Sequence, residues 1–173
     1  MDNFRLRSGP GFLFDTVAQY DANSTVKVLG RAQGENWLYV ETEDNLSGWM
    51  KIEYLDISGN LETLPFSAVT NAQTIIGHVR TRANVFGSGI GVLISPQNGY
   101  SGTNGDVALT DSSGTFYLYL PKNLEGDYFI EVNAYNCTGN LITGECQLPY
   151  TMPPVQPITL PAPVGVTIEF ELK

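Results

Sequence analysis

The chain has 173 residues and carries 18 acidic side chains against 9 Lys and Arg, a net charge of −9. Residues 1–65 hold ten acidic and five basic side chains, and residues 66–173 hold eight and four, so neither half offers a basic face. Binding a polyanion needs several Lys or Arg to release condensed counterions, which excludes nucleic acid and anionic membrane surfaces as partners.

A length of 173 residues fits one domain or two small ones. Gly and Pro are plentiful, at 18 and 10. No window of about 12 residues keeps a helical apolar stripe without a Gly, Pro or Asn break, so the chain reads as all-β. There is no apolar run of about 18 residues, hence no membrane insertion is expected. Met1-Asp2-Asn3 leads straight into the first strand, with no charged or apolar leader. On that ground either the protein is cytoplasmic or a removed signal peptide preceded this chain.

In chain order, the first half gives Phe4-Arg5-Leu6-Arg7-Ser8-Gly9-Pro10, then Thr25-Val26-Lys27-Val28-Leu29-Gly30. Glu35-Asn36-Trp37-Leu38-Tyr39-Val40, Ser47-Gly48-Trp49-Met50 and a closing Glu53-Tyr54-Leu55 follow. Each is a short run of period-two alternation closed by Gly, Pro, Asn or Asp, as in the strands of a small antiparallel barrel. These landmarks, over residues 1–57, resemble the bacterial SH3-like (SH3b) domain, with its opening R-x-G-P, its V-x-V-x-G, its W-x-x-V, its G-W and its closing Y-L. That resemblance implies an SH3-like barrel acting as a binding or targeting module with no chemistry of its own. Residues 58–73 are polar and turn-rich and read as a linker.

The second half, 74–173, resumes the alternation at Thr74–Arg80, Ser88–Ile94, Asp106–Asp111, Thr115–Pro121, Gly126–Val132 and Gly165–Leu172. About seven short strands with regular turn signals predict a β-sandwich. Thr110 and Asp111 should end one strand, Gly114 should supply the positive φ of a tight turn, and Phe116 should open the partner strand facing the core. The run Thr110-Asp111-x-x-Gly114-x-Phe116, followed by Leu120-Pro121 and Gly126-x-Tyr128, resembles the transthyretin-like, carboxypeptidase-regulatory-like sandwich. The resemblance implies a seven-stranded Ig/transthyretin-like fold and leaves the function open.

Chemistry-bearing constellations are few. Cys137 and Cys146 bracket eight residues with two glycines, a loop that a disulfide would stabilise by roughly 2–3 kcal/mol. Such a bridge places the protein outside the cytoplasm. Two Cys lack the further ligands that zinc needs, so no metal site is expected. His78 is the sole histidine and reads as a solvent-facing strand residue without a nucleophile beside it. No motif for a phosphate loop, nucleophile elbow or cofactor appears, and no cofactor is expected. An isopeptide cross-link is excluded, since 74–80 has no Lys and 165–173 no Asn. Six prolines between Pro149 and Pro163 predict an edge strand or long loop before the last strand.

The aromatic residues divide by strand phase. Leu38 and Val40 should face the core, which leaves Trp37 and Tyr39 on the other face, with Tyr54 beside a loop. Trp37, Tyr39 and Tyr54 could line a groove for a peptide or glycan, or could be half-buried packing around a small core. With the resemblances, the expected function is a non-catalytic binding or anchoring protein, extracellular or at the cell surface. Its partners would be a cell-wall peptide or glycan, or a surface protein. An accessory fragment of a larger secreted hydrolase, or a structural spacer, is the alternative.

Overall fold

A computed structural model describes residues 4–34, 36–81, 88–97, 105–133 and 151–173. It is all-β: the described residues form twelve strands and two single-turn 3-10 helices. Two compact units divide the chain, residues 1–73 with 119–122 and residues 74–118 with 123–173.

The first unit is a five-stranded antiparallel sheet of β1 (Phe4–Arg7), β2 (Thr16–Tyr20), β3 (Val26–Arg31), β4 (Trp37–Thr42) and β5 (Ser47–Lys51). Their order is β2-β1-β5-β4-β3. Alternation explains the core: Leu6, Leu38, Val40 and Met50 are buried together. Leu38 pairs with Met50 across β4 and β5 and Val28 with Val40 across β3 and β4. Register slips once in β1, between Leu6 and Arg7, and once in β3, between Val28 and Gly30. Such bulges increase local twist.

Three features differ from the sequence expectation. Thr16–Tyr20 forms a strand that its mixed polar pattern did not announce, because β2 lies at the sheet edge with both faces partly exposed. Residues 53–55, expected as a closing strand, instead fall in a 3-10 turn (Ile52–Tyr54) and its cap, with Leu55 N–H reaching the Ile52 carbonyl. The stretch expected as a linker is tied to the sheet as far as residue 67. Arg31 N–H donates to the Pro65 carbonyl at 3.0 Å, and Ser67 N–H donates to the Arg31 carbonyl at 2.9 Å. Leu61 and Leu64 lie against the core cluster. The physical reason is that these two leucines, three apart in a polar stretch, have apolar surface to bury.

The second unit is built on two sheets, two of whose strands, β6 and β9, have end residues grouped with the first unit. One has four strands in the order β11-β10-β7-β8, from β7 (Gly91–Ser95), β8 (Asp106–Leu109), β10 (Gly126–Asn133) and β11 (Gln156–Leu160). The other has three in the order β12-β6-β9, from β6 (Ala72–Thr81), β9 (Thr115–Pro121) and β12 (Thr167–Leu172). Burial strictly alternates along β12, so only one of its faces is covered, whereas every residue of β7 is buried. Phe116 and Phe170 are among the largest fully buried side chains, with ring centroids 6.4 Å apart. This is a sandwich-like arrangement with seven strands among the described residues.

The proline-rich region supplies an edge strand, β11, with Pro157 exposed and opposite Phe129. An edge is where a residue lacking an N–H fits a sheet. The turn at 110–116 has the expected chemistry. Asp111 Oδ1 accepts from Ser113 N, Ser113 Oγ and Thr115 N at 2.7–3.0 Å, and Gly114 has φ 74°. Phe116 is fully buried. One expectation fails: β8 and β9 belong to different sheets, so the turn is an arch between sheets and not a hairpin.

Candidate functional site

Each aromatic side chain of the first unit has an identifiable support. Arg7 is nearly buried, and its guanidinium donates to the carbonyls of Phe12 and Phe14 at 2.8 and 2.7 Å. Ser8 N–H closes the same loop on the Asp15 carbonyl at 2.9 Å. The loop is thereby folded so that Phe12 meets Trp37 edge to face, with centroids 5.3 Å apart at 71°. Arg7 and Lys51 both approach the Phe12 ring, at 5.5 and 4.8 Å from its centroid.

Trp37 is consequently 5% exposed. The phase assignment was sound, since Leu38 and Val40 are in the core, but the opposite face is not open: the 8–15 loop lies on it. Tyr39 is half-buried against Trp49, with ring centroids 5.2 Å apart. Of the three aromatics expected at a ligand site, only Tyr54 is open, at 45% exposure. The structure therefore does not bring Trp37, Tyr39 and Tyr54 together on one accessible surface.

It builds a groove elsewhere. A cavity of about 780 Å³ opens between the β2–β3 connection, the 3-10 turn and the 55–64 segment. Phe4 and Tyr54 form one aromatic wall, with centroids 5.7 Å apart, and Tyr20 also lines the cavity. The apolar floor comes from half-buried Val26, Val28, Leu55, Ile57 and Leu61. Sequence reasoning missed Phe4, Tyr20 and the 55–64 segment. The one trace of the segment in the sequence is the pair Leu61 and Leu64 inside a polar stretch, which has no period to mark it.

Tyr20 is fixed in place by its hydroxyl, which donates to Asp44 Oδ1 at 2.8 Å and lies 3.2 Å from Thr42 Oγ1. Thr42 Oγ1 donates to the same carboxylate oxygen at 2.6 Å. Hydrogen bonds from Thr42 and then Tyr20 hold the Asp44 carboxyl below its ordinary range. The Thr42 contact favours the Tyr20 phenolate, but partial burial and the Asp44 carboxylate outweigh it and push the phenol up. Partial burial, then the Glu53 charge, pushes the Tyr54 phenol up as well. Both groove phenols therefore stay neutral and able to hydrogen-bond through the physiological range.

In the second unit His78 is half-buried, and its Nδ1 lies 3.0 Å from Thr115 Oγ1. It stands on the outer face of β6, opposite buried Ile75, Gly77 and Val79, and is half-covered because it is bound to the Asp111 turn. Among the described residues no group of three or more His, Cys, Asp or Glu could hold a metal ion. No helix among them is long and apolar enough to cross a membrane. Cys137 and Cys146 lie outside the described residues. No protein-family model matches the chain, and no curated protein matches it.

Proposed function

We propose that the chain is a non-catalytic binding or anchoring protein of the cell envelope, acting outside the cytoplasm. In this reading the first unit is a bacterial SH3-like module that holds a cell-wall peptide or glycan, or a surface protein. The second is a transthyretin-like sandwich that presents it. The observation that carries the reading is the open groove of about 780 Å³ walled by Phe4, Tyr20 and Tyr54. Aromatic side chains supply large contact area at low entropic cost and dominate binding hot spots. Hydrogen-bonded positioning of Tyr20 keeps that wall preformed, which lowers the ordering cost of binding.

Cosedimentation with purified cell-wall sacculi tests the reading. The intact chain should pellet with sacculi, and Tyr54→Ala should release it with only a small change in melting temperature, because Tyr54 is 45% exposed and its ring contact is with Phe4. Protein that stays entirely in the supernatant would overturn wall binding.

A further inference from the structure

Resting on the groove reading above, we infer that the groove selects peptides carrying a primary ammonium on an aliphatic stem, as in a lysine-type side chain. The argument is charge complementarity. Asp21, in the β2–β3 connection, and Asp56, after the 3-10 turn, both line the cavity and are both exposed. Neither carboxylate has a hydrogen-bonding or ion-pair partner among the described residues; the Asp21 contacts to Ser24 run through its main-chain carbonyl. No Lys or Arg lines the cavity, and its remaining polar side chains, among them Asn23, Ser24 and Asn60, are neutral.

An anionic ligand would find no counter-charge here, whereas a cation finds two carboxylates from separate elements. The aromatic wall adds to this preference, since the faces of Phe4, Tyr20 and Tyr54 attract a cation through their quadrupoles. Val26, Leu55 and Ile57 offer an apolar strip for the methylene stem while the charged head stays hydrated near the acids. The net charge of −9 further raises the local concentration of cationic ligands. A ligand with both an aliphatic stem and a positive end uses every part of this lining.

The test is calorimetric titration of the full chain with three short peptides on one glycine-alanine background. They carry a central lysine, an acetyl-lysine or a glutamate. The lysine peptide should bind at least about tenfold more tightly than the acetyl-lysine peptide. The glutamate peptide should bind most weakly, and the lysine advantage should shrink at high salt. In an Asp21→Asn, Asp56→Asn double variant with unchanged melting, the affinity for the lysine peptide should fall to that for acetyl-lysine. Equal affinity for all three peptides would overturn the charge selectivity while leaving the groove a binding site. A lysine preference that survives in the double variant would overturn the assignment to Asp21 and Asp56. No binding by any peptide would overturn this inference, and retention on sacculi would then still speak for the broader reading.

Discussion

Trp37 shows how far strand phase reaches and where it stops. Alternation along β4 separates Leu38 and Val40 from Trp37 and Tyr39 correctly, but it cannot say what lies above the second face. That cover comes from Phe12, twenty-five positions earlier, and depends on the hydrogen bonds of Arg7, which no periodicity encodes. Trp37→Ala should therefore act on stability, costing about 3–5 kcal/mol as large-to-small core substitutions do. Urea denaturation of the first unit would check this; an unchanged midpoint with weakened ligand binding would instead make Trp37 a contact residue. Gly77 is the opposite case, a residue whose absence of side chain is the point. A Cβ there would stand 2.2 Å from the Phe116 ring and 2.4 Å from the Ile168 carbonyl oxygen. Alanine reduces unfolded-chain freedom and by that route adds up to roughly 1 kcal/mol of stability. The clash with main chain and a fully buried ring should win, so Gly77→Ala should lose about 1–3 kcal/mol by denaturant titration.

The Asp111 turn was legible because it needs specific residues at specific offsets, and those constraints are local. Burial raises the Asp111 carboxyl, but the Ser113 and Thr115 hydrogen bonds and the nearby His78 outweigh it and hold it below the ordinary carboxylate range. A lowered folded-state value means stability that is fully present above the unfolded carboxylate's range and is lost as pH falls on through the lower folded-state value. Melting curves of wild type and Asp111→Ala should thus differ at neutral pH, and the difference should shrink only as pH falls below the ordinary carboxylate range. The 58–67 segment was not legible, because two leucines among polar residues carry no period; only the finished sheet shows what they cover. A fragment ending at Gln73 should be more stable to urea than one ending at Ile57, which lacks Leu61, Leu64 and the two hydrogen bonds on Arg31. Equal midpoints for the two fragments would return residues 58–73 to the role of a linker.

At the scale of the molecule, the composition dip after Leu55 suggests an early and a late β region, whereas the compact units group residues 119–122 with the early one. The all-β class followed from the Gly and Pro breaks. What was hidden is sheet membership. Alternation marks a strand's faces but not its neighbours, so the sequence could not tell that β8 and β9 part into different sheets. Nor could it show that β6 and β12 run parallel, with Ile76 beside Thr167 and Thr81 beside Leu172.

That last pairing has a consequence for how the protein comes into being. During synthesis the first unit has all of β1 to β5 in hand early, and these pair mostly with near neighbours along the chain. β6 emerges soon afterwards, yet one of its two flanks waits for β12, which is made only after β7 to β11. Until then a strand with one apolar face presents open hydrogen-bonding groups, the situation in which nascent chains join one another. Removing residues 167–173 makes the wait permanent: soluble yield should collapse into aggregates, while a fragment of residues 1–73 remains soluble. The order in which the ribosome delivers strands thus leaves the second unit, and not the first, as the vulnerable stage of biogenesis.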